Sequence, residues 1–242
     1  MHILQFDNWR GRAWLVHFGW LFWVVGMNLY PSLTMANPQG TQQAVSKPLL
    51  LVMGDSLSAA YGMESEQGWV ALLQAKEPDL QVVNASISGE TTSGGKQRLP
   101  ELLKQYHPSV MVLELGANDA LRGQDLKTTQ RNLQTMIDSC KASLTDCEVV
   151  LLGIRLPTNY GPAYDLQLQK MYQALAEQSN VLFDPFFLED VALEPDLMQW
   201  DGLHPNAEAQ PQILQRVWPL IEQALQAVKQ KTKQASLVVK PL

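Results

Sequence analysis

The segment LLLVMGDSLS, residues 49–58, joins an apolar run to a polar turn, and the fold class can be predicted from it. The five apolar residues 49–53 have the length and composition of a strand that is buried on both faces. Strands of this kind are typical of parallel sheets that carry helices on each side. Four more apolar runs of strand length follow along the chain, at residues 81–85, 110–115, 149–154 and 181–183.

The segments between these runs repeat apolar residues at helical spacing. Such stripes lie at residues 69–73, 99–106, 133–140 and 168–175, and a last helix is expected from about Ala207. Because strands and helices alternate, each right-handed crossover returns the chain to a parallel neighbour. The sequence therefore predicts an α/β fold, a three-layer α/β/α sandwich with a five-stranded parallel sheet, in one domain over residues 49–228.

Polar loops follow the first three predicted strands, at residues 54–62, 86–95 and 116–119. In open parallel sheets, ligands bind beyond the carboxyl ends of the strands. Ser56 lies in the first of these loops, where its hydroxyl can be presented at the edge of the sheet. Taken alone, the segment around Ser56 also fits an ordinary turn, because aspartate and serine side chains bond to nearby backbone.

A histidine that could activate Ser56 has few possible positions, because the chain contains only four. Two lie within the first 36 residues, which we expect to be removed, and this leaves His107 and His204. His204 follows Asp201 by three residues, and with Ser56 they supply the base, acid and nucleophile of a serine hydrolase. The alternative for this pair is a turn at the start of the last helix, with Asp201 as its cap and His204 exposed. His107 is the rival base, but it lies at the end of a helix at the amino edge of the sheet, where its simpler role is to terminate that helix.

Acyl transfer also needs hydrogen-bond donors that stabilise a developing oxyanion. Two candidates follow predicted strands at the same edge of the sheet. Asn118 offers a side-chain amide, and Gly89 offers a backbone N–H that no side chain shields. Each has a simpler interpretation, a turn asparagine and a glycine required by backbone conformation.

Four segments resemble, in order, the sequence blocks of the SGNH (GDSL) hydrolases: GDSLS at 54–58, NASISG at 84–89, GAND at 116–119 and DGLHPN at 201–206. The similarity extends through residues 154–161 and 185–188. It implies the flavodoxin-like SGNH hydrolase fold. It also implies hydrolysis of ester and thioester bonds of fatty-acyl substrates, as thioesterases, lysophospholipases and arylesterases perform it.

The same resemblance implies a role for each residue of the site. Ser56 is then the nucleophile, His204 the base and Asp201 its acid, and the oxyanion hole comprises the N–H groups of Ser56 and Gly89 and the side chain of Asn118. The implied substrate-binding residues are Tyr61, Leu121, Ile154, Arg155 and Pro157, with Leu121 on a loop, residues 119–123, that moves over bound acyl chains. The resemblance implies no metal and no cofactor.

Two other classes of function are compatible with part of the sequence. A non-catalytic acyl or lipid carrier uses the same groove but has no need of Ser56, Asp201 and His204 together. A flavodoxin-like mononucleotide binder needs a phosphate-binding loop after the first strand, and this chain has no glycine-rich phosphate fingerprint there. A peptidase or carbohydrate esterase shares the serine mechanism and differs only in substrate.

The first 36 residues predict a cleaved secretory signal. Arg10 and Arg12 precede the apolar residues 13–27, and Thr34-Met35-Ala36 offers small residues for a signal peptidase. The apolar stretch is shorter than the roughly 20 residues that span a bilayer, although an uncleaved anchor is the alternative. We expect a periplasmic protein with no stable membrane span after cleavage, and residues 37–48 as a linker.

Composition limits the partners of this protein. The formal net charge is −6 and the isoelectric point is near 5.2, which argues against nucleic-acid binding, because phosphates require a clustered basic surface. The basic run at residues 229–233 is interpreted as the solvated end of the last helix, and residues 229–242 are predicted to be a flexible tail. We expect a monomer.

The two cysteines, Cys140 and Cys147, both lie in the part of the chain that we expect to be exported. In an oxidising compartment they can form a disulfide that closes a short loop between a helix and the next strand. The alternative is two small, partly buried thiols.

Overall fold

The computed structural model of the protein describes residues 47–238, with side chains through Ser236. The predicted signal segment and all but the end of the predicted linker lie outside the described residues. Five strands form one sheet: β1 (Leu49–Gly54), β2 (Gln81–Asn84), β3 (Val110–Glu114), β4 (Glu148–Leu152) and β5 (Leu182–Asp184). Each predicted strand is present, with ends that differ by one or two residues.

All neighbouring strands are parallel, in the order β2-β1-β3-β4-β5. The central strands β1 and β3 are buried along their whole length, which agrees with their near-continuous apolar sequence. Their register pairs Gly54 with Glu114, so that the loops after both strands begin side by side at one edge of the sheet.

Helices cover both faces of the sheet, and their bounds are α1 (Trp69–Lys76), α2 (Thr92–Tyr106), α3 (Ala117–Leu121), α4 (Leu126–Lys141), α5 (Pro162–Ser179) and α6 (Gln210–Val238). Helices α1 and α6 pack together on one face, and α2, α4 and α5 pack on the other. The predicted three-layer α/β/α sandwich is confirmed. Among residues 47–238, none of the helices combines the length and hydropathy needed to cross a bilayer.

The segment after β3 was expected to be a loop, but it forms the short helix α3. Asp119, in the first turn of α3, is buried and accepts a hydrogen bond from the backbone N–H of Thr92 at 2.8 Å. It also accepts one from the side chain of Gln124 at 2.7 Å. The bond from Thr92 attaches α3 to the start of α2, and this tertiary contact cannot be predicted from the local sequence.

His107 has the structural role that was its alternative interpretation. It ends α2 in the left-handed conformation, with φ of 46°, and its N–H donates to the carbonyl of Leu103 at 3.0 Å. This position is at the amino edge of the sheet, because β3 starts three residues later.

The basic run at residues 229–233 lies in the last helix, as the sequence indicates, because α6 continues to Val238. The predicted tail is therefore helical as far as that residue. The side chain of Lys231 contacts the carboxylates of Asp146 and Glu148 at 2.9 and 2.8 Å. These two hydrogen bonds raise the pKa of Lys231. The helix is thereby fixed to the loop before β4, beyond the point where its apolar face leaves the core.

Cys140 and Cys147 form a disulfide between the end of α4 and the residue before β4, with 5.4 Å between their Cα atoms. Both residues are buried. The bridge closes the loop that also holds Asp146, the partner of Lys231.

Replacing both cysteines by alanine is expected to lower the free energy of unfolding by about 2 kcal/mol, the loop entropy that so short a bridge removes from the unfolded chain. In a domain of this size, the thermal midpoint should fall by about 4–8 °C. Calorimetry of the parent and the double variant measures the change. An equal midpoint for the two proteins would mean that the bridge contributes nothing to stability.

Candidate active site

Three side chains that are distant in sequence meet at the carboxyl edge of the sheet. Nε2 of His204 lies 2.9 Å from Oγ of Ser56, and Nδ1 of the same ring lies 2.7 Å from Oδ2 of Asp201. With the ring proton on Nδ1, the imidazole donates to Asp201 and can accept the serine proton at Nε2. The arrangement is that of a nucleophile, a base and an orienting acid.

Ser56 is positioned by the tight turn that follows β1. The carbonyl of Asp55 accepts hydrogen bonds from the N–H groups of Ser58 and Ala59, and the carbonyl of Ser56 accepts from that of Tyr61. The turn leaves the Ser56 hydroxyl at the wall of a cleft, which allows contact with the imidazole of His204.

Asp201 and His204 share one hairpin, which the antiparallel bridge between Met198 and Pro205 closes. Oδ1 of Asp201 accepts the backbone N–H groups of Leu203 at 2.9 Å and His204 at 3.0 Å. Partial burial opposes ionisation of Asp201, but these backbone bonds and the imidazole outweigh it, so that the pKa of Asp201 lies below its ordinary value. The acid is therefore held as a carboxylate in a fixed orientation.

The hairpin is attached directly to the loop that follows β1. Nε2 of Gln199 donates to the carbonyl of Tyr61 at 2.7 Å and to that of Pro205 at 3.0 Å. The ring of Tyr61 packs against the imidazole of His204, with 4.4 Å between ring centroids. Tyr61 therefore contacts the base, while the cleft itself is lined by other residues.

Asn118 lines the same cleft. Its Nδ2 donates to Oδ2 of the buried Asp55 at 3.0 Å, which orients the amide and leaves its second hydrogen available. The backbone N–H groups of Ser56 and Gly89 have no acceptor among residues 47–238. Both groups can therefore donate to an acceptor that comes from outside the protein.

The cleft has a volume of about 580 Å³. Four of the predicted substrate-binding residues line it together with Ser56 and His204, namely Leu121, Ile154, Arg155 and Pro157. The guanidinium of Arg155 is paired with Asp165 at 3.2 Å. Gly89 lies outside the lining and accepts a hydrogen bond from Arg122 through its carbonyl at 3.2 Å.

A pair of buried carboxyl groups, Asp55 and Glu114, lies next to the turn of Ser56. Glu114, at the end of β3, has no exposed surface, and its Oε2 accepts from the hydroxyl of Ser58 at 2.8 Å and the N–H of Asp55 at 3.2 Å. Burial raises the pKa of Asp55 to about 6. Burial and the neighbouring Asp55 together raise the pKa of Glu114 well above its ordinary value.

The sequence alone does not indicate a site role for Asp55 or Glu114. The available signal was a glutamate inside the apolar run at residues 110–115, because a charged residue in a fully buried strand needs a partner. Gly54 also indicates that a buried carboxylate lies close by, since a Cβ at this position would lie 2.7 Å from the Glu114 carboxylate. The glycine is therefore required for close approach of the acid.

Glu114→Gln tests the buried pair by removing one of its two ionisable groups. A carboxyl with a raised pKa in the folded protein contributes stability that is present below its unfolded value, about 4, and is lost as the pH rises. Between pH 5 and 8, the free energy of unfolding of the parent should therefore fall relative to that of the variant, by up to about 1.4 kcal/mol per pH unit. Urea titrations at each pH measure the difference.

Glu101→Gln is the matched control, because Glu101 is an exposed carboxyl on α2. Its stability should follow that of the parent at every pH. A Glu114→Gln curve that runs parallel to the parent would refute the raised pKa of Glu114.

Comparison with known proteins gives matches over the same region. The sequence profile described as the GDSL-like lipase/acylhydrolase family matches residues 52–210. The esterase TesA of Pseudomonas aeruginosa is 48% identical over 189 residues, which cover 76% of this chain and 92% of that protein. The thioesterase 1/protease 1/lysophospholipase L1 of Escherichia coli is 45% identical over 172 residues, which cover 71% and 82%.

Solved structures agree with the fold. A crystal structure of the psychrotrophic esterase EstA from Pseudoalteromonas sp., inhibited by monoethylphosphonate, superposes with a TM-score of 0.70 at 42% identity. The alignment covers 74% of this chain and 98% of that one.

Proposed function

This chain belongs to the GDSL-like lipase/acylhydrolase family, and we propose that it cleaves carboxylic ester and thioester bonds of fatty-acyl substrates through an acyl-enzyme on Ser56. The proposal rests on the 2.9 Å contact between Ser56 Oγ and His204 Nε2, with Asp201 on the other ring nitrogen. Relatives named as an esterase and as a thioesterase and lysophospholipase support the reaction class.

The first half of the reaction transfers the acyl group to the enzyme. Oγ of Ser56 attacks the acyl carbon while its proton moves to Nε2 of His204. The charged imidazole is stabilised by Asp201. The bond to the leaving oxygen or sulfur then breaks, and His204 returns the proton to the leaving alcohol or thiol.

Water completes the cycle in the second half. His204 takes a proton from water, the resulting hydroxide attacks the acyl-enzyme, and Ser56 leaves with the proton that His204 gives back. The fatty acid is released and the triad is restored. This sequence uses only side chains of the chain itself and one water molecule.

In each half, negative charge develops on the acyl oxygen. We assign its stabilisation to the N–H groups of Ser56 and Gly89 and to the Asn118 amide, which the resemblance to SGNH hydrolases first indicated. Two features support the assignment: both N–H groups lack an acceptor among residues 47–238, and Asp55 fixes the orientation of the amide. Donors that are oriented before the reaction stabilise the charge without reorganisation.

The cleft supports a fatty-acyl substrate. Beyond the triad its walls are mainly apolar, with Leu121, Ile154, Leu156, Phe186 and Leu188 among the lining side chains. An acyl chain buries apolar surface there, which is favourable at about 0.8 kcal/mol per CH₂. The polar groups are concentrated where the ester must lie.

We propose that the protein is exported to the periplasm after cleavage of residues 1–36. The positively charged start, the apolar core and the small residues at 34–36 support this. The disulfide between Cys140 and Cys147 is consistent with an oxidising compartment. In that location, lysophospholipids and related acyl esters are nearer than cytoplasmic acyl-CoA, so we infer that they are the natural substrate class.

Ser56→Ala should abolish turnover of a short p-nitrophenyl ester, because the variant has no nucleophile. A fluorophosphonate probe should label the parent and fail to label the variant, which distinguishes an enzyme from an acyl carrier. Ser65→Ala is the control, since Ser65 is an exposed residue of the 3₁₀ helix Ser65–Gln67 and its loss should leave turnover unchanged. Undiminished turnover by a folded Ser56→Ala protein would disprove the assignment.

The apolar cleft predicts a dependence on acyl length. Across p-nitrophenyl esters from acetate to palmitate, kcat/KM should rise by up to about fourfold per methylene until the chain fills the cleft, the value of one buried CH₂. Initial rates at substrate concentrations below the critical micelle concentration measure this. A maximum at acetate would contradict binding of fatty-acyl chains in the cleft.

A further inference from the structure

Large apolar side chains remain in solvent on the segments that line the cleft: Leu193 and Leu203 line it, and Trp200 lies in the hairpin between the lining residues Met198 and Gly202. Trp200 is 98% exposed and Leu193 is 88% exposed, and Leu203 is exposed at 41%. We call these three residues the rim patch. Single exposed apolar residues are common, but a group of them around a binding site marks a surface for interaction.

Trp200 is held in its exposed position by an ordered hairpin. It occupies the tip, between the N–H of Gln199, which donates to His204 at 2.7 Å, and the N–H of Gly202, which donates to Gln199 at 2.9 Å. The hairpin is fixed further by the Gln199 side chain on Tyr61. The tryptophan therefore projects from a defined turn that also carries Asp201.

The rim patch is continuous with the catalytic cleft. Leu193 and Leu203 both line the cleft that contains Ser56 and His204. An acyl chain that enters past these leucines therefore moves along apolar surface from the outside of the protein to the nucleophile.

The charge around the rim patch selects the kind of surface that it can meet. Residues 171–215 contain no lysine or arginine, and the exposed Glu194 and Asp196 lie between Leu193 and Trp200. An anionic membrane repels such a segment, because anionic lipids attract basic residues. Tryptophan is enriched at the boundary between lipid and water, where its ring contacts both.

We propose that the rim patch docks the enzyme on a zwitterionic phospholipid surface, so that an acyl substrate passes from the lipid into the cleft without crossing bulk water. The inference rests on the proposed function in one respect, that the cleft accepts acyl chains. Trp200 and Leu193 enter the headgroup region, and the mouth of the cleft then faces the lipid.

Binding to phosphatidylcholine vesicles tests the docking surface. Trp200→Gln, expressed from the full sequence, should lower the vesicle partition coefficient about tenfold or more, because a tryptophan side chain carries a large part of the apolar contact. Trp200→Phe should retain most of the binding. Tryptophan emission of the parent should shift to shorter wavelength on binding, and Trp200→Gln should lose that shift.

Leu144→Gln is the matched control. Leu144 is 92% exposed but lies in the turn before β4, at the amino edge of the sheet opposite the cleft. Its partition coefficient should equal that of the parent. Because all variants keep the same N-terminal segment, differences among them report on the rim patch alone. Equal binding by Trp200→Gln and Leu144→Gln would overturn the proposal, as would binding that requires anionic lipid.

Activity separates this inference from the proposed function. Trp200→Gln should hydrolyse a soluble short ester within about threefold of the parent rate and lose about tenfold on micellar or vesicle-borne lysophosphatidylcholine. Ser56→Ala should lose both activities and still bind vesicles like the parent. Equal losses of activity on soluble and lipid substrates would mean that Trp200 supports the turn that carries Asp201. A dimer of the parent that Trp200→Gln abolishes would mean that the rim patch serves self-association. Either result overturns docking on lipid.

Discussion

The parallel pairing of β1 with β3 is the constraint on which the site depends. It places Gly54 opposite Glu114 at the ends of the two strands. The nucleophile turn and the start of α3 therefore begin next to each other, and Asp55 reaches the amide of Asn118 at 3.0 Å. A shift of one residue in this register would turn alternate side chains to the other face of the sheet and separate the two loops.

Much of the fold could be predicted from the sequence, because buried parallel strands are almost wholly apolar and helical stripes are regular. The five strands and the helices that pack on them followed from those two periods. The short helix α3 and the anchoring of the end of α6 did not, since each depends on a tertiary contact. Asp119 anchors the first to α2, and Lys231 fixes the second to Asp146 and Glu148.

The proposed triad could be predicted from the sequence because histidine is scarce and the loops lie at one edge of the sheet. The supporting residues were harder to recognise, since their role comes from burial. Glu114 reads as one polar position in an apolar run, yet it contacts the turn of Asp55 and Ser58. Two adjacent buried carboxyl groups oppose folding at neutral pH. These two groups lie next to the turn of Ser56, and proteins commonly accept such a loss of folding stability at functional sites.

Asp201 and His204 occupy the same hairpin, and this reduces the number of long-range contacts that the catalytic centre requires. The acid and the base are oriented by backbone bonds within four residues of chain. Within the triad, the only remaining long-range contact is the one between His204 and Ser56, across a separation of 148 residues. The conformational entropy lost on bringing the three side chains together is therefore smaller, because two of them already lie on one hairpin. The hairpin between Met198 and Pro205 thus orients the proposed acid and base locally, and the turn of Ser56 supplies the third group.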